Sequence, residues 1–107
     1  MVYFKAHVTF EDKIFAFCDP ELIGNEYRDD KRKITLNIKE KFYKGELVPI
    51  GEALSILRIS KGSCNIVGSL AYLAVKEGLA PKQALLWIID SNMHVRIPHL
   101  ILVPFSR

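Results

Sequence analysis

Between Ser63 and Gly78 the sequence favours a helix that is apolar on nearly every side, because Ile66, Val67, Leu70, Ala71, Leu73, Ala74 and Val75 leave no polar face. A helix of that kind has to be surrounded by protein, so the rest of the chain must supply the layers that bury it. Ser63 is suited to cap its start and Gly78 to stop it. Its opening, Ser63-Cys64-Asn65-Ile66-Val67-Gly68, gathers polar groups that a buried helix does not need, and so becomes a candidate functional element.

The layers are readable from periodicity. Val2, Phe4, Ala6, Val8 and Phe10 alternate with Tyr3, Lys5, His7 and Thr9, the pattern of a half-buried strand. After a polar break, Ile14-Phe15-Ala16-Phe17-Cys18 is apolar on both faces and suits the second arm of a hairpin, central in a sheet. Asp19-Pro20-Glu21-Leu22-Ile23-Gly24 reads as one helical turn, and Arg28 to Lys33 is too charged to bury and reads as a solvated loop. Ile34, Leu36 and Ile38 then alternate as a third strand, and Phe42 and Tyr43 before Gly45 form a turn that plugs the edge of the core. Ile50, Ala53, Leu54 and Leu57 predict a helix over 49–59, and Pro81 starts a third helical stretch to Trp87, where Trp87-Ile88-Ile89 could equally be strand. His94 to Val103 is the closing strand, held at an edge or bulge by Pro98. This order predicts an α+β fold: a small, mainly antiparallel sheet of about four strands, with two to three helices packed on one face.

A chain of 107 residues, half of them hydrophobic, can bury a core of its own, and a single domain over 1–107 is expected. No run approaches the roughly 20 apolar residues that span a bilayer, and the first ten residues lack a signal-peptide layout, so a soluble cytoplasmic protein without membrane contact is expected. Cys18 and Cys64 form no paired-cysteine motif and are expected to be reduced and buried. Neither they nor the three histidines have the spacing of a metal site, and His94 and His99, five apart, point to opposite faces of a regular strand, so neither metal nor cofactor is expected.

Charge is uneven. Residues 28–61 hold nine Lys and Arg against five Asp and Glu, a local excess of +4 within a chain of +3. Lys31, Arg32, Lys33, Lys39, Lys41, Lys44, Arg58 and Lys61, with Tyr43 beside Phe42 available for stacking, have the composition of a nucleic-acid-binding surface. The interleaved acids equally fit an ordinary solvated surface.

Four short motifs stand in order along the chain: Phe17-Cys18-Asp19-Pro20-Glu21-Leu22-Ile23-Gly24, Phe42-Tyr43-Lys44-Gly45, Asn65-Ile66-Val67-Gly68 and Ile97-Pro98-His99. Together they resemble the archaeal family known as domain of unknown function 424, and the similarity spans nearly the whole chain. The resemblance implies an archaeal cytoplasmic protein tied to information processing, with no established activity. Where the family's pattern is Gly-Val-Pro-His, this chain has Arg96-Ile97-Pro98-His99, which argues against a phosphate-cradling loop there.

Two functional readings follow, with a third beside them. The first is a non-enzymatic accessory protein that docks on RNA or on ribosomal and other translation components through residues 28–61. The second is a small enzyme or anionic-ligand-binding domain. It would use Ser63 and Asn65 at a helix N-terminus, whose free N–H groups favour an anion, together with His99. Cys64 there could be a thiolate nucleophile, lowered by the helix dipole and Lys61. Against both roles, a serine that caps the helix and a cysteine that packs in the core explain Ser63 and Cys64 equally well. The third reading is a protein-interaction module, marked by exposure of Phe42, Tyr43 or Trp87. Whether Asn65 and His99 meet in space separates the second reading from the others.

Overall fold

The alternation that begins at Val2 becomes strand β1 (Val2–Val8), which turns back into β2 (Lys13–Cys18) in a computed structural model that describes residues 1–103. Thr9 closes the turn, its hydroxyl accepting the Asp12 N–H at 3.1 Å. Phe10 lies in that turn, beyond the end of the strand. The remaining elements are β3 (Glu26–Asp29), β4 (Ile34–Asn37), α1 (Glu40–Tyr43), β5 (Glu46–Val48), α2 (Ile50–Ile59), β6 (Ser63–Val67), α3 (Ser69–Lys76), β7 (Leu86–Asp90) and β8 (Val95–Leu102). Single 3₁₀ turns sit at Pro20–Leu22 and Lys82–Ala84.

The α+β class holds, with a larger sheet than the sequence suggests. Six strands lie in the order β5-β1-β2-β6-β8-β7, all antiparallel to their neighbours except β2 and β6, which run parallel from Ile14 opposite Ser63 to Cys18 opposite Val67. A parallel pair needs a long crossover. Residues 19–62 supply it, and the excursion carries the two-stranded β3–β4 sheet, α1, β5 and α2.

Ser63–Val67 is therefore a strand and not the start of a helix. It is the innermost part of the sheet, so both of its faces are covered: Cys64 and Ile66 face α2 and α3, and Val67 faces the other way. A strand buried on both sides loses its alternation of apolar and polar residues, and joined to a buried helix it reads as one continuous apolar run.

The two faces of the sheet carry separate cores. Val2, Phe17, Ile66 and Leu100 pack against Ala53 of α2 and against Leu70, Ala71 and Ala74 of α3. Ala16, Cys18, Val67, Ile88 and Ile97 pack against Tyr27, Leu36, Ile38 and Tyr43, contributed by the β3–β4 hairpin and α1. Helices thus lie on both faces, α2 and α3 on one and α1 on the other. Phe17, Ile66 and Leu100 are wholly buried, each worth roughly 1.5–3 kcal/mol of transfer free energy.

The charged segment from Arg28 to Lys33 is not a free loop. Arg28 and Asp29 end β3, residues 30–33 turn, and Ile34 begins β4. Asp29 is buried against the outer strand β7, accepting the N–H of Ile89 at 3.0 Å and that of Arg32 in its own turn at 3.0 Å. Asp90 mirrors it, accepting the N–H of Arg28 at 2.8 Å and that of Met93 in its own turn at 3.0 Å. Each turn ends on a residue with positive φ, Lys33 and His94. Two similar hairpins are thereby bonded face to face by one carboxylate apiece.

Candidate functional site

Because Ser63 begins a strand, it caps nothing, and the anion site expected at its backbone does not exist there. The true helix start is at Ser69, and it already holds an anion. The Asp19 carboxylate, carried to the end of β2, accepts the Ser69 N–H at 2.7 Å and the Ser69 hydroxyl at 2.6 Å. Gly68 makes this approach possible: its φ is +104, and a Cβ there would lie 2.4 Å from the Asp19 carboxylate oxygen. A carboxylate placed on the positive end of a helix satisfies it as a bound anion would.

Asn65 and His99 do meet. From β6, Asn65 projects onto the same face as His99 of β8, and its Oδ1 lies 3.0 Å from His99 Nε2. The same oxygen accepts the Tyr43 hydroxyl at 2.8 Å from α1. An amide oxygen has no proton to give, so His99 carries its hydrogen on Nε2 and keeps a lone pair on Nδ1. Burial lowers the His99 pKa from its ordinary value, so the ring is neutral at physiological pH. Burial also pushes the Tyr43 phenol up to about 12, and Cys18 opposes its ionisation further once that thiol is itself ionised at high pH. Cys18 is itself raised to about 12, by burial first and then by Asp19 and Glu21.

Cys64 lies on a strand rather than at a helix start, and burial raises its thiol against the lowering hydrogen bond from Ser60. It is the reverse of an activated nucleophile. Among the described residues no group of three or more His, Cys, Asp or Glu could hold a metal ion. No helix among them is long and apolar enough to cross a membrane.

This trio has a structural role that can be measured. Tyr43 is only 5% exposed, so removing its acceptor strands a buried hydroxyl. Asn65→Ala is expected to cost about 2 kcal/mol in urea unfolding and Tyr43→Phe about 1 kcal/mol, since the phenylalanine leaves Asn65 with His99. Equal costs would mean that Asn65 is not the acceptor the hydroxyl depends on.

The basic residues are divided. Lys31, Arg32 and Lys33 lie at the turn of the β3–β4 hairpin, and Lys39, Lys41 and Lys44 lie around α1, all in the layer on one face of the sheet. Arg58 belongs to the other face, where it pairs with Glu77 at 3.1 Å and ties α2 to α3. Lys61 is at the end of the sheet away from Gly68, near Lys13. Arg32 pairs with Asp29 at 3.6 Å and also donates to the Trp87 carbonyl, and Lys44 pairs with Glu40 at 3.2 Å. Tyr43 is buried on Asn65 and offers no face for stacking, while Phe42 is taken by His7, which stacks on it at 4.6 Å.

What the sequence did not single out is a cleft between α3 and β7, about 410 Å³, lined by Tyr72, Val75, Lys76, Lys82, Leu85 and Trp87. It continues past Tyr72 and Trp87 into a second cleft of about 350 Å³, whose walls include Asp19, Gly68, Ser69, Arg96 and Pro98. Three of the four motifs therefore line one depression, and Tyr43 joins the fourth to them through Asn65 and His99. A backbone bond from the Gly68 N–H to the Pro98 carbonyl, 2.9 Å, locks two of those motifs together. The sequence signal for the cleft was faint: Tyr72 is an aromatic residue in a helix otherwise nearly all aliphatic.

No curated protein matches the chain. Among solved structures, an uncharacterized conserved protein from Methanopyrus kandleri has the same fold, with a TM-score of 0.66 at 23% identity over 99% of this chain and 95% of that one. Residues 7–100 match the family described as "Protein of unknown function (DUF424)", and the chain belongs to that family.

Proposed function

We propose that the protein is a non-enzymatic accessory domain that docks on RNA, or on a ribonucleoprotein of the translation apparatus, in the cytoplasm. The observation that carries this reading is the state of Lys31, Lys33, Lys39 and Lys41. All four are exposed on the hairpin-and-α1 layer, and among the described residues none has a carboxylate within salt-bridge distance. Unpaired surface cations have no ion pair to break before they meet a phosphate backbone, and they gain from the counterions released. Thiols held protonated by burial favour binding over covalent chemistry.

A filter-binding titration against structured and single-stranded RNA at two salt concentrations tests this. Replacing the four lysines with alanine is expected to weaken binding roughly tenfold or more at low salt and to flatten the salt dependence by about 0.7–0.9 per lost contact. No affinity at low salt would end this reading. A second reading, an anionic-ligand site, draws its support from the 3.0 Å approach of His99 to Asn65. It requires small anions to shift the His99 ring resonances in a titration.

A further inference from the structure

The cleft between α3 and β7 brings together two aromatic rings and three cations. Tyr72 is 51% exposed and its ring centre is 6.1 Å from that of Trp87, the planes inclined at 55°. Arg96 lies over the Trp87 ring at 4.8 Å from its centre, so one face of the indole is backed by positive charge. Lys76 and Lys82 form the lips, one at the end of α3 and the other in the 3₁₀ turn before β7. Among the described residues none of these three cations has a carboxylate within 4.0 Å, and no acidic side chain lines the aromatic part of the cleft. Acids appear only in the adjoining part, where Asp19 is occupied by Ser69 and Glu21 stands beside it.

We propose that this cleft is a stacking site for single-stranded RNA, in which an unpaired base lies on Tyr72 and Trp87 while Lys76 and Lys82 take the flanking phosphates. The inference rests on the RNA reading above and specifies a site that reading does not contain. Aromatic faces flanked by cations are the elements that let a protein hold a single strand, because every base has a π-face and every nucleotide a phosphate. A duplex keeps its bases stacked inside and has none to offer. Charge also selects the occupant: an acidic wall would repel phosphate, and that wall is confined to the Glu21 end, so the strand runs along the Lys76–Lys82 side. The basic hairpin continues this path around the sheet edge, since Arg32 donates to the Trp87 carbonyl and Lys31 lines a cleft with Ile89 of β7.

Trp87 is the single tryptophan of the chain, so its fluorescence reports on this cleft alone. Titrating the full chain with an oligoadenylate and an oligouridylate at low salt is expected to quench or shift that emission. Tyr72→Ala is expected to weaken single-strand binding about fivefold or more. Lys76→Glu with Lys82→Glu is expected to reduce it further, and duplex RNA should leave the emission unchanged. Tyr72 and both lysines are exposed, so these variants should fold, and unaltered far-UV circular dichroism checks that. RNA binding by filter assay with unmoved Trp87 emission and no effect of Tyr72→Ala overturns the stacking site and leaves the electrostatic reading standing. Quenching by adenosine monophosphate as strong as by the oligomer overturns the strand assignment in favour of a free nucleotide. No RNA binding of any kind removes both.

Discussion

Replacing Gly68 with alanine is expected to cost about 2–5 kcal/mol of folding free energy, a loss of roughly 10 °C or more in Tm for a domain of this size. Two effects add. At φ 104 and ψ −152 the backbone is in a region that alanine enters only with strain of about 1–3 kcal/mol. The new Cβ would also lie 2.4 Å from the Asp19 carboxylate oxygen and 2.6 Å from its carbon, so the carboxylate must leave the Ser69 N–H, giving up a cap worth about 0.5–2 kcal/mol. The two effects are separable. In an Asp19→Ala background the cap and the clashing carboxylate are gone and only the Cβ of residue 19, 3.1 Å from the new methyl, stays close, so Gly68→Ala should then cost little beyond the backbone strain, about 1–3 kcal/mol. A double-mutant cycle by urea denaturation measures the difference. Strictly additive costs would show that the glycine is not there to admit the carboxylate. Hydrogen exchange should localise the damage, with faster exchange at the Ser69 amide in both single variants.

That cap also shows where the sequence stopped being legible. Periods of two and of 3.6 were visible wherever one side of an element meets water, so β1 and α2 (Ile50, Ala53, Leu54 and Leu57) could be read nearly to the residue, whereas β8, which Pro98 suggested for an edge or bulge, lies inside the sheet and pairs in regular register with β6 and β7. Ser63–Val67 was misread because a doubly buried strand and the helix after it share one unbroken apolar pattern, with Gly68 as the sole punctuation. A serine near the start of that run looked like a local cap, whereas the real one is Asp19, 50 residues earlier in the chain. Likewise Asp29 looked like a solvated charge, since nothing local to it reveals that its partner is the backbone of Ile89. The meeting of Asn65 with His99 could be posed from sequence as a question, because Asn65 is a polar residue at the opening of an apolar run and His99 a polar residue in an apolar strand. Its answer depended on β6 and β8 being neighbours in the sheet. The α3–β7 cleft could not be posed at all. The exposure of Tyr72 is set by where the helix sits, and Arg96 reaches Trp87 only because Pro98 pairs with it across the ladder.

The two-carboxylate clasp gives the second large effect, and its sign follows from the acceptors. Asp29 and Asp90 each use both oxygens as acceptors for backbone N–H groups: Ile89 and Arg32 for the one, Arg28 and Met93 for the other. Those bonds hold each carboxyl below its ordinary value of 3.8, Asp29 through Ile89 and Arg32 first and Asp90 through Arg28 and Met93 first. A carboxylate depressed in the folded state stabilises fully above its unfolded pKa, and that stability is lost as pH falls through the folded value. The window therefore lies below about pH 4, where the unfolded chain takes up the protons first.

Asparagine at both positions mimics the protonated clasp, because an amide presents one acceptor and one donor where the carboxylate presents two acceptors. One N–H group at each site then faces an NH₂. Asp29→Asn with Asp90→Asn is expected to lower Tm by about 10 °C or more at pH 7. The gap should close as pH is lowered toward 2, since the parent then acquires the same donor–acceptor pattern. His99 adds its own step in both proteins: burial keeps its ring neutral, so the unfolded chain is protonated first near pH 6.5 and stability falls there as pH drops. That step cancels in the difference between the two curves. Denaturant midpoints followed from pH 8 to pH 2 decide the matter. A gap that stays constant down to pH 2 would mean that hydrogen-bond geometry alone, and not the carboxylate charge, holds the β3–β4 hairpin to β7.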